Sequence, residues 1–182
     1  MNVEAAMAKV GTRAALLFGC ILAIGAGCSV SRGIPGGSPT TAGVERVILD
    51  QTPNPSDPGQ ILELTRVTIG PGTCIPPHTH PGPQLGTLVA GTLSYRIIDG
   101  EAYVRRNAAR DDAPGETLRA DQRLELRTGD SIHEPPGMVH TATNEGDEPV
   151  VIYVSSLFPA GEPTSIAADE EAATGATPPS CP

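Results

Sequence analysis

The 182-residue chain has no tryptophan, two phenylalanines and three tyrosines. Aromatic packing is therefore excluded as the basis of its interior, and the core has to come from Val, Ile, Leu and Ala, a set that suits strands. Cations are also scarce. Twelve Lys and Arg stand against 21 Asp and Glu, for a net charge of −9 and a pI near 4.8. With no basic stripe interleaved with aromatics, that balance argues against nucleic acid as a partner, because phosphate contacts need surplus cations. The apolar stretch from Ala14 to Ile24 is too short to span a bilayer comfortably. What the chain has in quantity is glycine (21) and proline (19), as expected of one β-rich domain with irregular ends.

The N-terminus reads as a targeting segment over residues 1–28, with Lys9 and Arg13 ahead of the apolar stretch and small residues leading to Cys28. Gly25, Ala26 and Gly27 resemble the lipobox of bacterial lipoprotein precursors, although Gly25 stands where an aliphatic residue is usual. A plain cleaved signal peptide and an uncleaved anchor stay open beside the lipid anchor. Cys20, behind Leu17, matches the aliphatic position better but would split the apolar stretch, so Cys28 is preferred. Glu4 is out of place in a cationic leader and points to a start at Met7. The expectation is export to the cell envelope with attachment to the membrane.

Residues 29–43 are rich in Ser, Gly, Pro and Thr and read as a flexible linker, 44–159 as the folded domain, and 160–182 as a disordered acidic tail. Cys74 and Cys181 would close a long loop if oxidised, worth about 2–4 kcal/mol; two reduced thiols is the reading favoured, since nothing else holds the tail to the domain.

Short β-prone runs fill the domain at residues 44–49, 61–69, 85–90, 92–98, 123–127, 131–134 and 150–155. Asp99-Gly100 carries the signature of a tight hairpin turn, and Asn144 to Asp147 marks another turn. Many short strands at this spacing imply an all-β sandwich or barrel, most simply an antiparallel jelly roll. Residues 105–122 read as a solvated excursion.

Two runs of spaced residues carry chemistry. The first is Gly72, His78, His80, Gln84 and Gly91; the second is Gly129, Asp130, Pro135, Gly137, His140 and Asn144. His78 and His80 are two apart, so an extended backbone puts both imidazoles on one face, and Pro81-Gly82-Pro83 turns the chain so that Gln84 returns.

These runs resemble the two signature motifs of the cupin family over roughly residues 60–157, with Gln84 standing where the first motif usually has Glu. The resemblance implies a single cupin-type antiparallel β-barrel, a double-stranded β-helix, with a divalent metal (zinc, manganese, nickel or iron) held by His78, His80, Gln84 and His140. It also implies a homodimer, and leaves the glycines as turn residues. An amide at position 84 offsets none of the metal's charge and removes a potential base, which argues for Lewis-acid isomerase, lyase or cyclase chemistry over a quercetinase-like dioxygenase. A ligand- or metal-binding protein without turnover is the other alternative.

Tyr95 and His133 are the candidate catalytic proton carriers. Tyr95 alternates with Leu93 and Ile97 and should face the interior; His133 has the plainer alternative of an exterior strand residue, which is preferred. Gly86 and Leu88 share the face of Gln84 and should line the pocket. Arg66 is a conceivable anchor for a substrate carboxylate, but its strand is apolar on both parities and a surface position is preferred.

Overall fold

Strands account for all the regular structure within residues 41–168, the part of the chain that the computed structural model describes. Residues 1–40, which include the targeting segment with Cys20 and Cys28, and residues 169–182, with Cys181, lie outside the described residues. In chain order the strands are β1 (Val44–Asn54), β2 (Asp57–Ile69), β3 (Cys74–Thr79), β4 (Gln84–Ala90), β5 (Thr92–Asp99), β6 (Glu101–Arg105), β7 (Gly115–Arg119), β8 (Arg123–Arg127), β9 (Ser131–Glu134), β10 (Val139–Thr143), β11 (Val150–Pro159) and β12 (Ile166–Ala167).

They form two sheets, one of seven strands in the order β1-β2-β11-β4-β9-β6-β7 and one of five in the order β12-β3-β10-β5-β8. Every pairing is antiparallel. The sheets meet over a core of branched aliphatics such as Val67, Ile69, Leu88, Ile97, Val104, Leu126 and Val150, each at most 4% exposed, as the lack of large aromatics requires. This is the expected all-β jelly roll.

Local sequence misleads at Asp99-Gly100. Gly100 has the left-handed φ of 85° that the turn needs, yet β5 and β6 do not pair, because β5 belongs to the five-stranded sheet and β6 to the seven-stranded one. Ile97 and Ile98 are both fully buried, so the strand's alternation breaks just before the turn and the chain crosses from one sheet to the other. Turn chemistry specifies a reversal; the burial of consecutive residues decides which sheet receives the chain.

Residues 105–122 are likewise more ordered than expected. β7 pairs with β6, Glu101 opposite Arg119 and Arg105 opposite Gly115. Arg106 ties the connection down, bonding Glu116 at 2.9 Å and Asp130 at 2.8 Å. Asp130 also accepts from the backbone amides of Asn107 and Arg127 at 3.0 Å each, which explains the acid's place in the second motif. Gly91, at φ 80°, is packed so closely that a Cβ would come within 3.0 Å of the Pro149 carbonyl, so the turn between β4 and β5 admits no side chain.

Two expectations change. Cys74 is disulfide-bonded, so the reading of reduced thiols does not hold at that residue. The folded domain also runs past residue 159: β12 pairs with β3, Ile166 opposite Thr79 and Ala167 opposite His78.

Candidate metal centre

β3 and β10 are neighbours in the five-stranded sheet, with His140 directly opposite His78. Since His80 lies two residues beyond His78, one face of the sheet presents all three imidazoles. They are buried, and their ligand atoms all lie within 4.8 Å of one another. Ring centroids are 4.2 Å apart for His78 and His140, 5.0 Å for His78 and His80, and 5.2 Å for His80 and His140.

The outer nitrogens fix the tautomers of two rings. His78 Nδ1 lies 2.8 Å from the Pro76 carbonyl and His80 Nδ1 lies 2.6 Å from the Thr164 carbonyl. A carbonyl only accepts, so both Nδ1 atoms carry the proton and both Nε2 lone pairs are left for the pocket. His140 Nδ1 has the Met138 backbone beside it but makes no hydrogen bond of ordinary geometry.

Burial, followed by the neighbouring His80, pushes His78 down to about 3. Burial, followed by His78 and His80, likewise pushes His140 well below the ordinary histidine range. These imidazoles are neutral near pH 7, the state in which imidazole binds metal. The His78 and His80 lone pairs converge with the ring of His140 in a buried site, so the donor set fits a divalent metal.

A carboxylate stands beside two of the three rings, and it comes from Glu134. On β9 Ile132 and Glu134 point inward, buried, while His133 points outward and is exposed opposite Leu85 and Tyr103. Glu134 Oε2 lies 3.5 Å from His80 Nε2 and Oε1 lies 3.7 Å from His140 Nε2. Tyr95, inward-facing and buried as its alternation implied, donates its hydroxyl to Glu134 Oε1 at 2.7 Å, and its ring stacks on His140 at 5.1 Å. Burial, with Glu134 adding, pushes the Tyr95 phenol well above its usual range, so the proton stays on the tyrosine.

Strand alternation sends His133 to the outer face, the position preferred for it, so its catalytic alternative does not hold and Glu134 is the titratable side chain of β9 that faces the pocket. The site is not the electrically neutral one that the amide at position 84 had implied: Gln84 packs with Nε2 3.2 Å from the outer nitrogen of His80, two donors that do not bond each other, while its partner across β4 and β9, Glu134, brings a carboxylate to the inner nitrogens of His80 and His140. The sequence carries a signal for Glu134, since it shares parity with Ile132 on either side of His133.

The same register makes a polar row across four strands: Glu63 on β2, Ser156 on β11, Gln84 on β4 and Glu134 on β9 are successive partners. Of that row, Gln84 and Glu134 join the histidines in lining a cavity of about 60 Å³, whose lining also includes Gly86 and Leu88, as their parity implied, and Arg46. Arg66 does not line it; the buried Thr65 and Val67 on either side show that Arg66 faces away from the interior. Gly82 turns the chain from His80 to Gln84 against the Leu157 carbonyl, with no room for a Cβ.

Residues 160–168 act as a strap. Besides the Thr164 carbonyl on His80, the Ala168 amide bonds the Pro77 carbonyl at 3.1 Å. Ending the chain at Gly161 removes both contacts, and such a variant is expected to bind zinc about 10–100-fold more weakly, the usual cost of losing a ligand's outer partner. Competition with a chelator measures it; unchanged affinity would show that His80 is oriented by its Phe158 stack alone, 6.1 Å between rings.

Comparison with known proteins adds the following. A family model described as Cupin matches residues 54–174. Auxin-binding protein ABP19b of Prunus persica is 29% identical over 104 residues, 54% of this chain and 39% of that protein. Germin-like protein 5-1 of Oryza sativa subsp. japonica is 30% identical over 94 residues, 50% of this chain and 33% of that protein. The chain thus spans well under half the length of these relatives. Among solved structures, oxalate decarboxylase from Bacillus subtilis at pH 4.6 has a TM-score of 0.45 at 19% identity, covering 70% of this chain and 28% of that one.

Proposed function

This chain belongs to the cupin family, and from that premise we propose that it holds a divalent metal on His78, His80 and His140 and uses Glu134 to move a proton of a small carbonyl compound. The reaction class is enolisation, the common first step of isomerases and many lyases. The observation that carries this reading is the buried Glu134 carboxylate, 3.5 and 3.7 Å from two imidazole nitrogens and held by the Tyr95 hydroxyl.

A bound dication would supply Lewis acidity toward the substrate oxygen. The chain's own residues do the rest. Burial keeps His78 and His140 unprotonated. Tyr95 restrains Glu134 through Oε1 alone, which leaves Oε2 able to accept a proton from the carbon next to the carbonyl. Leu88 and Ile132 shield the pocket from water. Gln84 removes a base from its own position but Glu134 supplies one across the strand pair, and the preference for non-redox chemistry rests on the placement of that carboxylate. Export on the N-terminal segment remains part of the proposal and rests on the sequence of residues 1–28 alone.

The test is solvent hydrogen–deuterium exchange at carbon, followed by NMR without oxygen, on a panel of small 2-oxo and 3-oxo compounds with protein loaded with zinc, manganese or nickel. Faster exchange in the metal-loaded protein is expected. No exchange on the whole panel, with oxygen uptake by the iron-loaded form instead, would replace this reading with the dioxygenase; no metal retained would overturn it outright.

A further inference from the structure

We propose that Arg46 anchors a carboxylate of the substrate, so that the pocket takes a small organic monoanion with one end on the guanidinium and the other over the three histidines. This inference rests on the metal-centred reading above and narrows its substrate class.

Register sets the direction of Arg46. It lies opposite Val67 on β2, Val67 lies opposite Ile152 on β11, and Ile152 lies opposite Leu88 on β4. Val67 and Leu88 are buried in the core, so this row faces the interior and Arg46 is its one charged member. The side chain lines the same cavity as the histidines and Glu134, while the residue as a whole remains exposed. It therefore stands where the cavity opens.

An arginine in an otherwise apolar row, lining a cavity, is placed to receive an anion. Arg106, Arg110, Arg119 and Arg127 each have a carboxylate within ion-pair distance. Among the described residues no ion pair or hydrogen bond engages Arg46. Burial pulls its pKa down, and the fields of Glu134 and Glu63 oppose this from further off. Charge balance points the same way: Glu134 is the one carboxylate lining the cavity, so a bound dication together with the guanidinium leaves positive charge for an anionic ligand to meet. The cavity is small, about 60 Å³, which suits a compact ligand.

The probes are pyruvate, lactate and acetoacetate, each against its neutral amide, titrated by calorimetry into the zinc-loaded full chain. At least one acid is expected to bind ten or more times tighter than its amide. Arg46→Gln should remove that difference, a loss of at least tenfold for a charge-assisted, two-pronged contact, with zinc content and Tm unchanged; Arg46→Lys should restore part of it. Equal binding of acid and amide, equal acid affinity in Arg46→Gln, or no binding of any acid overturns the anchor. The exchange assay on the same samples separates the two readings. Arg46-dependent binding without exchange sinks the function proposed above and keeps the anchor, whereas exchange with an unchanged KM in Arg46→Gln does the reverse.

Discussion

A Glu134→Gln variant is expected to keep its zinc and to lose about 10²- to 10⁴-fold of its exchange rate, the range attributed to a positioned base. The amide preserves the shape of the carboxylate and can still accept the Tyr95 hydroxyl, but it cannot take a proton from carbon. Two measurements decide the matter together. Zinc retained with exchange lost identifies Glu134 as the proton acceptor. Zinc lost in proportion to activity would make it a fourth ligand, and full activity would exclude it from the chemistry. The departure at Gln84 belongs to the same experiment. Because Gln84 and Glu134 are direct partners on adjacent strands, a glutamate at both positions would set like charges opposite each other. Gln84→Glu alone should therefore be tolerated worse than the double exchange Gln84→Glu, Glu134→Gln, which moves the carboxylate one strand over.

The metal-free protein is expected to lose about 3 kcal/mol of stability between pH 7 and pH 4 through His78 alone. An unfolded histidine takes up a proton as pH falls through 6.5, whereas burial holds folded His78 at about 3. Within that window the unfolded state binds the extra proton, so stability rises with pH and falls on acidification, by about 1.4 kcal/mol per unit once titration of the unfolded chain is complete. The loss ends near pH 3, where the folded state also protonates. His140 is shifted in the same direction and steepens the slope. Urea midpoints of metal-free protein at pH 7, 5 and 4 check it, with His78→Gln as the control. A slope unaltered in that variant would mean that His78 is not held neutral. Added zinc should counter the loss at pH 5, because protons compete poorly for imidazoles so shifted.

Legibility of the site in sequence followed the physics of each residue. The histidines could be read because strand geometry puts residues two apart on one face and because spaced glycines and prolines mark the turns around them. Tyr95 was legible for the same reason, from its alternation with Leu93 and Ile97. Arg46 was not, since Val47, Ile48 and Leu49 are apolar on both parities and β1 shows no inner face until it is paired with β2. Asp99-Gly100 announces a turn, but no local signal states that β5 and β6 part to different sheets. Glu134 fell between these cases, readable from Ile132 yet overshadowed by an adjacent histidine of the more familiar chemistry.

The acceptor for His80 Nδ1 is the main-chain oxygen of Thr164. No side-chain exchange at position 164 removes that oxygen, so point substitutions there should cost less zinc affinity than shortening the strap, and a scan by alanine would understate one of the centre's supports. Only changes that move the backbone reach it: a deletion, an inserted residue, or a proline that redirects the strap. The centre is therefore robust to substitution at this point and exposed to changes of length, and variation in the spacing between Pro159 and Ile166 should track loss of metal better than variation in the residues themselves.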